Sequence, residues 1–242
     1  MSASAPSFDF RLIDTPAGSL PCIVRGPADG PQLLIIPPLF EEMNRTRALL
    51  AGIGRGLAER GIASWLPDLP GTGDSDVALP AVRWSDWRQA VRSVSQHIEA
   101  NHGKGTVTFA VRGGALLDDA AEAAVALRLA PVTSGDRQLR EMLRTGVAAL
   151  QERGTPTSLA ALEDQLRTTT LELGGYPITP ALAAGLAAAR AAAIAPGRTA
   201  ALTGGAGDLL FDGPPVWRQA EPIAARALAA DLAAWIALCI GR

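Results

Sequence analysis

Apolar residues along this chain alternate between two spacings. Leu33 to Ile36 is a continuous apolar run with a β-branched end, the pattern of a strand buried on both faces. From Thr46 to Arg60 the apolar positions Leu49, Leu50, Ile53 and Leu57 recur at helical spacing, and Gly61 supplies a stop. Ala63 to Leu66 is a second short apolar run. It ends in Asp68-Leu69-Pro70-Gly71-Thr72-Gly73-Asp74-Ser75, too rich in Gly and Pro for helix or strand. Strand, helix and strand in this order predict a right-handed βαβ unit in a parallel sheet.

The same reading extends to both sides. After a loose tail over residues 1–7, Phe8 to Ile13 and Leu20 to Arg25 read as strands joined in a hairpin around Ala17-Gly18, and Gly26 to Pro31 as a turn. Ser85 is placed to cap a helix from Asp86 to Ala100. Its apolar stripe is Trp84, Trp87, Val91, Val94 and Ile98, and both tryptophans read as core and not as ligand contacts. Thr106 to Val111 is the next strand. Arg112-Gly113-Gly114 turns from it into a helix over Ala115 to Ala124, and Val125 to Val132 is a further strand. Beyond Arg137 helices dominate: Leu139 to Glu152, Leu159 to Leu166 and Pro180 to Ala192, with Thr168 to Leu173 a strand or hairpin arm before the Gly174–Pro177 turn. Thr199 to Thr203 reads as a final strand, Gly204 to Pro215 as loop, and Ala220 to Ile240 as mostly helix, interrupted near Pro222. No internal repeat is present.

Two loop strings carry a resemblance. Pro37-Pro38-Leu39-Phe40-Glu41-Glu42-Met43-Asn44-Arg45 follows the first strand of the βαβ unit, and Pro67-Asp68-Leu69-Pro70-Gly71-Thr72-Gly73-Asp74-Ser75 follows the second. In this order they resemble the α/β-hydrolase fold. More narrowly, they resemble the hydrolases encoded beside bacterial exosortase systems, the type called hydrolase 2. The resemblance is strong over residues 8–117 and thins out by about residue 222. It implies an α/β fold with a mostly parallel, doubly wound sheet and a helical cap over the sheet's C-terminal edge. Residues 1–135 and 195–242 then form the core and 136–194 the cap insertion. It also implies a role linked to protein sorting and exopolysaccharide production.

Composition narrows the classes. A chain of 242 residues allows one domain, or one domain with an insertion, and 48% hydrophobic residues favour a packed core over disorder. Basic and acidic residues nearly balance, 22 against 24, and no basic block points to nucleic acid. No charged start precedes an apolar core and a cleavage site, and Arg226 and Asp231 interrupt the apolar segment Ala224 to Ile240. A cytoplasmic protein without a membrane span is expected. Cys22 and Cys239 read as buried free thiols.

The chemistry departs from the hydrolase pattern. An α/β-hydrolase presents its nucleophile on a sharp G-x-S-x-G turn after the central strand. Here that turn is Ala110-Val111-Arg112-Gly113-Gly114: the small residues are in place, but Arg112 holds the nucleophile position. A guanidinium stays protonated and cannot attack a carbonyl. The resemblance to the hydrolase 2 type implies that its turn often reads this way.

The base is missing as well. The chain has two histidines, His97 and His102, both at the end of a helix that returns to the N-terminal edge of the sheet. They read as surface groups whose cations the helix dipole favours. The late loop offers Asp208 and Asp212 but no histidine. A Ser-His-Asp mechanism is therefore disfavoured.

Three roles remain open for Arg112. It could pair with Glu41, Glu42 or Asp68 and plug the cleft. At a helix N-terminus it could bind a carboxylate or phosphate. It could also serve unusual catalysis. The candidate ligand site is Arg112, Gly113, Leu39, Phe40, Glu41, Glu42 and Asp68. Asn44 reads as the cap of the helix starting near Thr46, Arg45 as solvated in preference to reaching the cleft mouth, and Gly71 and Gly73 as turn glycines. Gly204-Gly205-Ala206-Gly207 lacks a following Lys-Ser/Thr, and neither a P-loop, a dinucleotide fingerprint nor a metal-ligand cluster occurs, so no cofactor is expected. Three functions follow: a degenerate hydrolase binding a small anionic or acyl ligand, an active ester or thioester hydrolase with unusual groups, or a partner-binding protein.

Overall fold

The computed structural model describes residues 8–16, 18–103, 105–193 and 196–241. The expected hairpin is present. β1 (Phe8–Thr15) pairs antiparallel with β2 (Gly18–Arg25), closing at Thr15 opposite Gly18; Ala17 and residues 1–7 lie outside the described residues. β3 (Gln32–Ile36), α1 (Glu41–Ala58) and β4 (Ala63–Pro67) form the βαβ unit, β3 and β4 running parallel. α2 (Trp84–His102), β5 (Val107–Val111) and β6 (Val125–Leu129) follow. Then come α3 (Gly135–Glu152), α4 (Leu159–Leu166), the small hairpin β7 (Leu171–Leu173) and β8 (Tyr176–Ile178), and α5 (Pro180–Ala188). β9 (Gly197–Leu202), β10 (Leu209–Phe211) and α6 (Arg226–Ile240) complete the chain.

The main sheet has eight strands in the order β1-β2-β4-β3-β5-β6-β9-β10. Only the β1–β2 and β2–β4 pairs are antiparallel; every pair from β4 to β10 is parallel. Successive strand residues face opposite sides, and this divides β3 between two cores. Leu33 and Ile35 pack with Leu49, Ile53 and Leu57 of α1 and Leu232 and Ile236 of α6. Leu34 and Ile36 pack on the other face with Val91, Val94 and Ile98 of α2. The same second core takes in Leu143, Leu162, Leu173, Ile178, Leu182 and Leu186 from the segment after β6.

Small residues set how closely α1 and α6 approach. A Cβ on Gly52 or Gly56 would stand 2.9 Å from the Cβ of Ala229 or Ala233. Part of the alanine content near the C-terminus is therefore a packing requirement, beyond its helix propensity.

Several boundaries differ from the sequence reading. α1 begins at Glu41, a full turn before Thr46, whose Oγ1 back-bonds to the Glu42 carbonyl at 2.9 Å inside the helix. Asn44 is thus no cap; its side chain donates to the Tyr176 hydroxyl at 2.9 Å. Glu41 and Glu42 form an acidic first turn, a placement the helix dipole favours. Ser85 lies inside α2, and the Asp86 carboxylate accepts from the Arg83 N–H at 2.7 Å at its start. The loop expected over 204–215 contains β10, so Thr199 to Thr203 is not the last strand. α5 ends at Ala188 and α6 begins only at Arg226. Cys22 is a buried free thiol, whereas Cys239 is only half-buried. Among the described residues no helix is long and apolar enough to cross a membrane.

Candidate functional site

The site lies where β3 and β5 end. β5 is buried throughout and stops at Val111; Arg112 follows with φ 53°, the strained left-handed conformation of a sharp strand-to-helix turn. Two glycines make room for it. A Cβ on Gly114 would stand 2.5 Å from the Ile36 carbonyl oxygen, and one on Gly113 2.8 Å from the Gln138 side chain. Phe40, at the end of the β3 loop, is held at φ 56°. Its ring packs against Trp87 at 5.4 Å and Tyr176 at 5.7 Å. Trp84 and Trp87 are core residues, and the Trp87 indole donates to the Pro70 carbonyl at 2.8 Å.

The helix expected over Ala115 to Ala124 is absent. Two 3-10 segments, Arg112–Leu116 and Asp118–Ala121, stand in its place. Gly113 and Gly114 are poor helix formers, and the next acids are tied sideways. Asp118 accepts two bonds from Arg128 at 2.6 and 2.8 Å, and Asp119 two from Arg88, both at 2.7 Å. Arg112 therefore does not head a long helix, and the dipole argument for an anion at its N-terminus fails.

Of the three acids considered for Arg112, Glu42 is the partner. Arg112 Nη2 and Nε donate to Glu42 Oε1 at 3.0 and 3.1 Å. Its Nη1 donates to the Ala130 carbonyl at 3.0 Å, and its guanidinium carbon lies 5.1 Å from the centre of the Trp217 ring. The pair is mostly covered, the side chains being 16% and 23% exposed. Burial raises the Glu42 carboxyl above the usual glutamate range, and the Arg112 charge opposes that shift.

The other two acids go elsewhere. Glu41 pairs with Arg45 at 3.1 Å. Asp68 faces Arg47 at 3.4 Å and accepts from the Asp74 N–H at 3.0 Å. It lines a separate 160 Å³ hollow between β2, β4 and α1. Asp68 thus drops out of the candidate site. Gly71 and Gly73 have φ 77° and 55°, the turn conformation expected of them.

In front of the turn opens a cleft of 610 Å³. Leu39, Phe40, Glu41 and Glu42 line it, and Arg45 reaches its mouth. Arg112 and Gly113 lie behind this lining. Sequence reasoning missed the opposite wall: Gln138, Glu141, Met142 and Thr145 of α3, Leu173 and Tyr176 of the hairpin, and Trp217 and Arg218 after β10. Gln138, Glu141, Met142 and Thr145 share one helical face, a spacing present in the sequence but too polar to read as a core stripe. Tyr176 has its hydroxyl pKa raised, chiefly by burial.

Neither histidine faces the turn. Both rings stack edge-on against Trp65 at 5.6 Å, and His102 Nδ1 lies 2.9 Å from the Ala28 carbonyl, beside the start of β3. Burial lowers the His97 pKa and Arg11 adds to it, so a dipole-favoured surface cation was the wrong expectation there. Asp208 and Asp212 are held locally, by the Thr199 N–H at 2.7 Å and the Thr203 hydroxyl at 2.5 Å. Among the described residues no group of three or more His, Cys, Asp or Glu is placed to hold a metal ion.

No family model matches the sequence, and no curated protein sequence matches it. Solved structures do. Est1E from Butyrivibrio proteoclasticus, with ferulic acid bound, is similar with a TM-score of 0.58 at 16% identity, over 79% of this chain and 77% of that one. The thioesterase domain from the curacin biosynthetic pathway is similar with a TM-score of 0.51 at 12% identity, over 98% and 100%. An α/β serine hydrolase without lid from Xanthomonas campestris aligns at 19% identity and a TM-score of 0.44, over 52% of this chain; the chain spans 62% of its length. The strand order, the strained turn after the central strand and the first two likenesses lead to one conclusion: the chain has the α/β-hydrolase fold.

Proposed function

We propose that this protein is a catalytically degenerate hydrolase of the exosortase-associated kind its sequence resembles, acting in the cytoplasm by binding a small acyl or anionic ligand in the inherited cleft. One observation carries the reading. The turn tip that would present a nucleophile presents Arg112, locked onto Glu42, and neither histidine reaches it. Without nucleophile and base, acyl transfer loses several orders of magnitude in rate. A cleft of this volume nonetheless suits a small molecule. Its apolar contacts are Leu39, Phe40, Met142 and Leu173, and most of the far wall comes from the segment after β6, which we read as a cap, with Trp217 and Arg218 completing it. Arg112 is neutralised by Glu42 and Arg45 is paired with Glu41, so an anionic head would rely on Arg218 at the rim.

Hydrolysis of p-nitrophenyl acetate and butyrate tests the reading. No turnover above that of a mock purification is expected, with no change in Arg112→Ala. Turnover that Arg112→Ala abolishes would instead establish an active esterase with unusual groups. Ligand binding is read by the melting temperature in the presence of short-chain acyl compounds and phosphate.

A further inference from the structure

We infer that the acyl and anionic halves of the ligand belong to one molecule: the cleft takes an aliphatic monocarboxylic acid in its ionised form, its carboxylate held by Arg218 and the side-chain amide of Gln138. This rests on the reading above and narrows it. Arg218 lines the cleft next to Trp217 and is exposed, and its side chain makes no hydrogen bond or ion pair with a described residue. Its charge is near enough to Glu42 to act on that carboxyl. Gln138 is 8% exposed and lines the same cleft. Its Oε1 is closed off, and the amide lies against the residue after the turn tip, Oε1 and Nε2 standing 2.8 and 3.0 Å from where a Gly113 Cβ would be. Nε2, also without a partner, is the atom this side chain has to offer. The Trp217 ring stands 5.1 Å from the Arg112 guanidinium carbon, and Gly113 is the next residue, so the two donors flank one turn.

These free groups choose the head. An amide N–H and a guanidinium only donate, so their partner must accept. Tyr176 adds a third donor, because its hydroxyl accepts from Asn44 and keeps its own proton, burial having raised its pKa. Arg112 and Arg45 are already engaged by Glu42 and Glu41. Among the described residues that line the cleft, Arg218 is then the cation and the exposed Glu141 the acid left without a partner. One free cation balances one negative charge. A phosphate monoester carries about −1.5 to −2 at neutral pH, and the excess would face Glu141. A carboxamide is neutral and gives Arg218 no charge-assisted bond to a carboxylate. The alkyl chain lies along Leu39, Met142 and Leu173.

Calorimetric titration of the full chain at neutral pH and low salt, with octanoate, octanamide and octyl phosphate, tests this. Octanoate is expected to bind about tenfold tighter than either of the others, the scale of one charge-assisted hydrogen bond. Arg218→Met should erase the advantage over octanamide, and Gln138→Met should reduce it. Because Arg218 is exposed and unpaired, Arg218→Met is expected to keep the wild-type melting temperature. Octanamide or octyl phosphate binding as tightly as octanoate, or an advantage that Arg218→Met leaves unchanged, would overturn the inference and leave the wider reading standing. If short-chain acyl compounds and phosphate fail to bind along with all three probes, the wider reading falls too.

Discussion

Arg112 and Glu42, 70 positions apart in the chain, meet with Nη2 3.0 Å from Oε1 and join the tip of the central turn to the first turn of α1. Removing one partner strands the other in a mostly covered site. Arg112→Ala is expected to lower stability by about 2 kcal/mol, below the range for fully buried pairs because both side chains keep some solvent contact. The double variant Arg112→Leu/Glu42→Leu should recover much of that loss. Urea midpoints decide it: a single Arg112→Ala indistinguishable from wild type would show that the pair contributes nothing.

Glu42 also sets a pH dependence. Its carboxyl pKa is raised in the folded protein, first by burial, with Arg112 acting in the opposite direction. The folded state therefore holds this proton more tightly than the unfolded chain does. The associated stability is full below the ordinary glutamate range, near 4.3, and is lost as pH rises through the raised value. Compared with Glu42→Gln, wild type should lose stability on going from pH 4 to pH 7, measured as the difference in urea midpoint. A gap that widens in wild type's favour over that span would contradict the shift.

Asp118 and Arg128 brace the turn from beneath. The Asp118 side chain is 0% exposed and takes both Arg128 bonds, and Arg128 Nη2 also donates to the Ala192 carbonyl at 2.8 Å. Asp118→Ala leaves a guanidinium largely buried without its carboxylate. A loss of roughly 3–5 kcal/mol is expected, enough to bring the thermal transition down by several degrees. A transition unmoved by this change would show that water compensates Arg128.

Gly114 makes the closest backbone approach at the turn, its Cα facing the Ile36 and Pro37 carbonyls. Gly114→Ala would put a methyl 2.5 Å from one oxygen and 2.7 Å from the other. Overpacking of this kind costs about 1–3 kcal/mol. Because the β3 loop must shift, the variant should also weaken binding of any cleft ligand. Chemical denaturation together with the acyl-compound titration reads both effects.

Much of the architecture was legible because it depends on local periodicity. The apolar run Leu33–Ile36, the stripe Leu49, Leu50, Ile53 and Leu57, and the turn glycines Gly71 and Gly73 specify strand, helix and loop with little help from the rest of the chain. Legibility failed where side chains compete with those preferences. Gly113, Gly114 and the tethered Asp118 and Asp119 turned an expected helix into two 3-10 segments. The start of α1 was read late because Glu41 and Glu42 resemble loop residues until their place in the first helical turn is seen.

By itself the sequence determined the α/β layering, the strained turn and the presence of a guanidinium where an alcohol is required, since these follow from residue type and order. Only the tertiary structure decided that Glu42 and not Glu41 or Asp68 neutralises Arg112, and that Gln138 closes over Gly113. Such choices depend on which side chains chain folding brings within about 3 Å, the reach of a hydrogen bond, and no local pattern encodes a distance between residues 70 positions apart.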